Sequence, residues 1–269
     1  MRYGISNLSI VPMRSEPRED SEMCSQILFG EHYTINQLKD KWCRITLAFD
    51  GYEGWIDRKM INEIDEKYFL LLAKVPIVVT TDPVNRVQVK SGNDGFFIVA
   101  GSSLPHYKPF AQTFKLGKMA YKLKPKMKTG PDGDIRELLI GNALNFYNVP
   151  YLWGGRSPFG IDCSGFSQIL YKMAGIPIPR DVAQQALIGE NLSFVEEALP
   201  GDLAFFDNDE GVVVHVGIIW TEKKIIHCSG KVRIDKVDQF GIYNVDTKRY
   251  THQMRLMRRI IGVVNNPQG

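Results

Sequence analysis

Cys163 stands in the run YLWGGRSPFGIDCSGF, where a glycine-rich stretch delivers the chain to the first turn of a predicted helix. Backbone N–H groups without intrahelical partners and the positive end of the helix dipole stabilise a thiolate there. This placement predicts a lowered thiol pKa and a sulfur able to attack a carbonyl carbon. The competing reading is a small buried apolar residue, the usual fate of a lone cysteine. A cysteine nucleophile needs a neighbouring base, and the base needs an orienting partner. Two histidines in later strand-like runs offer themselves: His215 within VVVHVGII and His227 within KIIHCSG. His215 interrupts an apolar strand, where a polar ring must find a partner; a satisfied core histidine is the alternative.

The two histidine runs flank residues 221–224 and predict a hairpin, which makes a geometric demand. Both rings lie on one sheet face only if His227 opposes Gly217 or another residue an even number of positions from His215. An odd loop or a bulge meets that demand, whereas a strict two- or four-residue loop does not. Cys228, next to His227, then points to the opposite face and reads as core packing. Cys24, Cys43, Cys228 and the other three histidines show no paired zinc-type spacing, so neither a metal nor a cofactor is expected.

The elements that must carry these residues follow from pattern. Asp134 is a candidate N-cap for a helix through Ile135, Leu138, Leu139, Leu144 and Phe146, and a second helix is predicted over 163–174, stopped by Gly175 and Pro177. Strands follow in DLAFFD, GVVVHVGIIW and KIIHCSG, with a late apolar run around 260–264. Helices first and an antiparallel sheet afterwards predict an α+β domain over 129–269. Upstream, KWCRITLAFDGYEGWI alternates Trp42, Arg44 and Thr46 with Cys43, Ile45 and Leu47, and Asp50-Gly51 supplies a hairpin turn. Further strand-like runs are KVPIVVTT, VQVK and GFFIVAG. These patterns predict two small β-barrels in tandem, over 1–64 and 65–128. Six lysines between Lys115 and Lys128, followed by TGPDGD, read as a solvated boundary rather than an anion-binding patch.

Composition narrows the function classes. A chain of 269 residues with 44% hydrophobic and 23% charged residues is ordinary globular material. A formal charge of +3, from 33 basic and 30 acidic residues, is too balanced for a nucleic-acid binder. Four cysteines are too few for a disulfide scaffold. No apolar run reaches the roughly 20 residues of a membrane span. The opening residues carry charge and proline where a secretory signal would be apolar. The expectation is a cytoplasmic protein with no nucleic-acid, membrane or obligate protein partner, or a periplasmic or secreted one if a leader was removed.

The set Tyr151, Trp153, Gly154-Gly155, Asp162-Cys163-Ser164-Gly165-Phe166, Pro200-Gly201-Asp202-Leu203, His215-Val216-Gly217-Ile218 and His227 resembles the NlpC family of bacterial cell-wall cysteine peptidases, over about residues 134–264. DGYEGWI resembles bacterial SH3 domains. The whole arrangement is similar to the dipeptidyl-peptidase type that recycles murein peptides. The resemblance implies a papain-like core preceded by two SH3-like barrels. It makes Cys163 the nucleophile, His215 the general base and acid, and His227 the group orienting His215. Tyr151 would hold the developing oxyanion together with the Cys163 amide. Asp162, Ser164, Trp153 and the pair Arg180-Asp181 would bind substrate, with Arg180 able to clamp a carboxylate. Val182 departs from relatives that carry a small hydroxyl residue there. The implied substrate is peptidoglycan-derived peptide, cut between γ-D-glutamate and a diamino acid to release L-Ala-γ-D-Glu. Glu53, beside Trp55, is the candidate partner for the free amino end. A non-catalytic wall-binding protein and another acyl transferase or amidase on the same core are the alternatives.

Overall fold

Period-two alternation builds the N-terminal half. In the computed structural model, which describes residues 1–76, 78–92, 94–124 and 134–263, seven short strands form one antiparallel sheet. They are β1 (Arg2–Ile5), β2 (Ile10–Arg14), β3 (Met23–Leu28), β4 (His32–Lys39), β5 (Trp42–Leu47), β6 (Glu53–Asp57) and β7 (Glu63–Ile64), in the order β3-β2-β6-β5-β4-β1-β7. Cys43, Ile45 and Leu47 of β5 are buried with Val11, Met13, Ile27, Tyr33 and Ile56, as the alternation predicts. The β5–β6 turn closes at Asp50-Gly51, where the Tyr52 N–H donates to Asp50 Oδ1 at 3.0 Å and Gly51 adopts φ +72°.

Helix α1 (Glu66–Leu72), capped by Asp65, leads to a second sheet of β8 (Val84–Val89), β9 (Gly95–Val99), β10 (Thr113–Leu116) and β11 (Met119–Lys124), ordered β10-β11-β8-β9. Ile5, Phe29 and Leu72 join Val87, Ile98, Phe114 and Tyr121 in one apolar cluster, so the two sheets share a core. Two expectations are corrected here. The described residues of KVPIVVTT form no strand: only Val79 makes a bridge, to Ser103, because Pro76 within the run and Pro83 just beyond it restrict the backbone. The lysine-rich boundary is in part the β10–β11 hairpin, whose exposed Lys115, Lys122 and Lys124 alternate with buried Leu116, Tyr121 and Leu123. Residues 125–133, including the TGPDG turn, lie outside the described residues.

The chain divides into two compact units, 1–130 with Trp153–Pro158, and 131–152 with 159–269. The short segment Trp153–Pro158, containing β12 (Arg156–Ser157), is thus part of the first unit. Arg156, fully buried, donates to both carboxylate oxygens of Glu31 at 2.9 and 3.0 Å and to the Gln26 carbonyl at 2.6 Å. Gly154, at φ +75°, lies so close that an added Cβ would stand 2.0 Å from the Met23 carbonyl oxygen.

The second unit opens with α2 (Ile135–Leu144), whose cap Asp134 accepts from the Arg136 N–H at 2.9 Å. After β13 (Gly160–Ile161) come α3 (Cys163–Met173) and α4 (Val182–Gln185). The strands are β14 (Glu190–Leu192), β15 (Leu203–Asp207), β16 (Val213–Thr221), β17 (Lys224–Ser229), β18 (Lys231–Asp238), β19 (Gly241–Asn244) and β20 (Arg249–Arg259). The sheet runs β14-β20-β15-β16-β17-β18-β19, and β19 also pairs with β20, so six strands close on themselves. Register shifts at Phe205/Phe206, Ile219/Thr221 and Ile242/Tyr243 supply the bends that closure requires. Helices α3 and α4 pack on β16.

The last strand lies ahead of the late apolar run: β20 ends at Arg259, and Ile260 and Ile261 are buried after it. Asp202, with no exposure, holds the C-terminal end of this strand by accepting from Arg259 at 2.8 Å and from Arg136 at 2.9 Å. No helix among the described residues is long and apolar enough to cross a membrane.

Removing one member of a buried ion pair leaves an uncompensated charge. Glu31→Ala should therefore destabilise the first unit by about 3–5 kcal/mol, read as a lower urea midpoint in fluorescence of the tryptophans there. An unchanged midpoint would show that Arg156 finds equivalent partners.

Candidate active site

The site in the second unit is organised by strand register. Gly217 of β16 opposes His227 of β17, so His215, two residues before Gly217, shares the face of His227. The two-residue hairpin loop alone would have turned the rings apart; the register shift between Ile219 and Thr221 restores the match. His215 Nε2 and His227 Nδ1 stand 2.9 Å apart. Gly217 makes this approach possible, since a Cβ there would meet His227 Cβ at 2.9 Å. Both rings are buried, on the face that carries the apolar cluster of Ala204, Phe206, Ile219, Ile225 and Val237.

Two residues that the sequence reading passed over complete the cluster. Asp235 of β18 lies diagonally across from His227, and its Oδ2 is 3.0 Å from His227 Nε2. His252 of β20 stacks on His215 with ring centroids 4.3 Å apart. A signal for Asp235 was available: in VRIDKVD it shares a strand face with buried Val237, an improbable position for a carboxylate without a function or a partner.

Burial, followed by the neighbouring His227 and His252, holds His215 well below its ordinary 6.5. Burial also lowers His227, against the pull of Asp235, and pushes His252 down to about 4. For Asp235, burial would raise the pKa, but hydrogen bonds from His227, Arg233 and the Val245 N–H outweigh it and hold the carboxyl well below the usual carboxylate range. At neutral pH the three rings are therefore neutral beside an ionised Asp235. The hydrogen bonds then assign the protons. His227 donates from Nε2 to Asp235, its Nδ1 accepts from His215 Nε2, and His215 Nδ1 is left as a lone-pair acceptor.

Cys163 opens α3. Its sulfur takes hydrogen bonds from the backbone N–H groups of Ser164 and of Val216, the residue after His215. The lowered pKa expected from the helix end is not found: burial, then the adjacent Asp162 carboxylate, pushes the thiol up to about 11. The reason is local. Asp162 is the N-cap of α3 and accepts the Gly165 N–H at 2.6 Å, so it takes up helix-end donor capacity and places negative charge beside the sulfur. Cys163 is buried, with a relative exposure of 7% for the whole residue.

Asp162, Ser164 and Arg180 form one buried group. Arg180 donates to both oxygens of Asp162, at 3.0 and 2.5 Å, and to Ser164 Oγ at 2.7 Å. The carboxylate clamp expected of Arg180 is thus closed on the chain's own Asp162. Tyr151, whose N–H donates to the Gly230 carbonyl at 2.9 Å, has its phenol raised by burial and then by Cys163 and Asp162, which keeps the hydroxyl protonated. Asp181 is exposed at the start of α4. Two candidates lie in the first unit. Trp153 is 60% exposed and its indole N–H donates to Glu22. Glu53 on β6 pairs with Arg44 at 2.6 Å and accepts from the Thr46 hydroxyl at 3.1 Å. Cys228, buried behind His227, donates to the Ile161 carbonyl at 3.1 Å. No metal-binding group of His, Cys, Asp and Glu is found among the described residues.

A thiol at a helix start, bonded to the backbone beside a histidine pair, is an acyl-transfer arrangement, and comparison with known proteins agrees. The NlpC/P60 family model matches residues 148–255 and the bacterial dipeptidyl-peptidase SH3 domain model matches residues 13–61. The chain carries an NlpC/P60 cysteine peptidase domain behind a bacterial SH3 domain. It is 25% identical over 229 residues to the γ-D-glutamyl-L-lysine dipeptidyl-peptidase of Bacillus subtilis, covering 77% of this chain and 73% of that one. It is 28% identical over 258 residues to dipeptidyl-peptidase 6 of Lysinibacillus sphaericus, covering 86% and 91%. The crystal structure of an NlpC/P60 family protein from Bacillus cereus shares the fold, with a TM-score of 0.80 at 22% identity over 96% of this chain and 99% of that one.

A raised thiol and lowered imidazoles mean that the NlpC/P60 domain rests with sulfur and rings neutral. Alkylation of Cys163 by iodoacetamide, followed by peptide mapping, should accelerate about tenfold per pH unit from pH 7 toward the thiol pKa. It should level off only near 11. A plateau below pH 7 would show a preformed thiolate–imidazolium pair instead.

Proposed function

We propose that this cysteine peptidase hydrolyses the γ-D-glutamyl bond to the diamino acid of peptidoglycan stem peptides, releasing L-Ala-γ-D-Glu from peptides with a free amino terminus. The observation that carries the chemistry is the Cys163 sulfur hydrogen-bonded to the amide beside His215, whose ring is tied to His227 at 2.9 Å. The substrate class is supported by the relatives named γ-D-glutamyl-L-lysine dipeptidyl-peptidase and dipeptidyl-peptidase 6.

In this reading Cys163 is the nucleophile and His215 the base, with Nδ1 taking the thiol proton as sulfur bonds to the carbonyl carbon. Because the thiol rests protonated, deprotonation and attack occur together. The Cys163 amide and the Tyr151 hydroxyl donate to the developing oxyanion. His215 then returns its proton to the leaving amine of the diamino acid as the C–N bond breaks, leaving a thioester. Water attacks that thioester, gives its proton to His215, and the C–S bond breaks to release the dipeptide acid and the thiol. His227 keeps the His215 ring in place throughout. Asp162, Ser164 and Arg180, tied to one another, form the buried group next to Cys163 in the chain.

Incubation with L-Ala-γ-D-Glu-diaminopimelate, its lysine counterpart and an N-acylated version, read by mass spectrometry, tests the reading. Release of L-Ala-γ-D-Glu from the free-amine peptides, abolished in Cys163→Ala, is expected. Turnover that persists in Cys163→Ala, or no cleavage of any of the three, defeats it. The lowered imidazoles set the sign of the pH profile: His215 stays an unprotonated base below 6.5, so the acid limb of kcat/KM should fall below that pH. An acid limb centred above it would contradict the burial of the ring.

A further inference from the structure

We propose that Asp235, held by Arg233, is a positioning residue that fixes, through His227, the tautomer of His215 needed to accept the Cys163 proton. The inference rests on the reading of Cys163 and His215 as nucleophile and base, and adds what sets the direction of the proton relay.

Asp235 Oδ2 receives Arg233 Nε at 2.6 Å and His227 Nε2 at 3.0 Å. Its Oδ1 receives Arg233 Nη2 and the Val245 N–H, both at 2.9 Å. The guanidinium and the amide can only donate, so both oxygens must act as acceptors, and the buried carboxylate dictates that His227 presents N–H at Nε2. Arg233 is itself fixed by Asn244 Oδ1 at 3.1 Å and Asp246 at 2.9 Å, so the carboxylate cannot rotate away from its donors. A proton on His227 Nε2 leaves Nδ1 as acceptor for His215 Nε2, and His215 Nδ1 as the base. Remove the carboxylate and the pair loses its polarity: His227 can then donate from Nδ1, which forces the His215 proton onto Nδ1, the position that must be vacant for the thiol. The other titratable groups facing His227 are His215 from β16, Arg233 from β18 and His252 from β20. None of these can hold a negative charge, so Asp235 has no substitute within the cluster.

Asp235→Asn preserves shape but turns an amide NH₂ toward donors on one side or the other. Its kcat/KM on L-Ala-γ-D-Glu-diaminopimelate should fall about 100-fold or more, with KM changed little. The diagnostic readout is the imidazole tautomer in the full chain, from long-range ¹H–¹⁵N spectra of ¹⁵N-histidine-labelled protein. In the unsubstituted protein His215 and His227 should both be Nε2–H tautomers, and in Asp235→Asn His227 should lose that form. Packing alone would not move this signature. If the variant fails to fold, the spectrum of the unsubstituted protein still decides: an Nδ1–H tautomer at His227 overturns the proposal. Unchanged tautomers and unchanged kcat/KM in a folded Asp235→Asn overturn it as well. Failure of the unsubstituted chain to cleave the peptide would instead count against the substrate reading, and the tautomers would still judge this one.

Discussion

One bond between two imidazoles, made across neighbouring antiparallel strands, constrains the whole catalytic unit. For His215 and His227 to meet, the residue opposite His227 must be small and the register must be even, and Gly217 and the shift near Trp220 provide these conditions. Once the rings share a face, the closed sheet buries them against apolar neighbours. Burial in turn keeps them neutral, because the charged imidazolium is the form that loses most by leaving water. Neutral rings need a polarity imposed from outside the pair, and Asp235 is the group in contact that can impose it.

The Cys163 thiol obeys a different balance. A helix start is ordinarily a place where a thiol is acidified. Here the same helix start is capped by Asp162, and the sulfur is screened from water, so desolvation and a nearby carboxylate outweigh the dipole and the two backbone hydrogen bonds. Arg180 offsets part of that negative charge by pairing with Asp162. The resting state is a neutral thiol near neutral rings.

The first unit illustrates how a glycine-rich stretch can serve structure as much as chemistry. In YLWGGRSPFGIDC the tyrosine and the cysteine belong to the catalytic unit, whereas Trp153–Pro158 counts with the SH3-like sheets. Arg156 is enclosed there with a matched carboxylate and a backbone carbonyl. Gly154 is required because any side chain would strike the Met23 carbonyl. Residues that look like part of a catalytic motif thus also belong to the packing of the first unit.

The sequence alone determined what repeats at short range. Asp134 before an apolar helical run and the glycine-rich stretch before Cys163 set two helix starts, period-two alternation placed Cys43, Ile45 and Leu47 inside, and the ordered set around Cys163, His215 and His227 pointed to the peptidase family. Each of these is carried by residues a few positions apart, where local backbone geometry decides. Tertiary structure alone decided the rest. The closure of the sheet through β19 and β20, the stacking of His252 on His215 and the engagement of Asp235 join residues from separate strands through register, which local pattern does not encode. The thiol pKa belongs to the same class, since desolvation depends on everything packed around the sulfur. So does the fate of Arg180 and Glu53, whose charges read from sequence as available to a ligand and are met in the fold by Asp162 and Arg44.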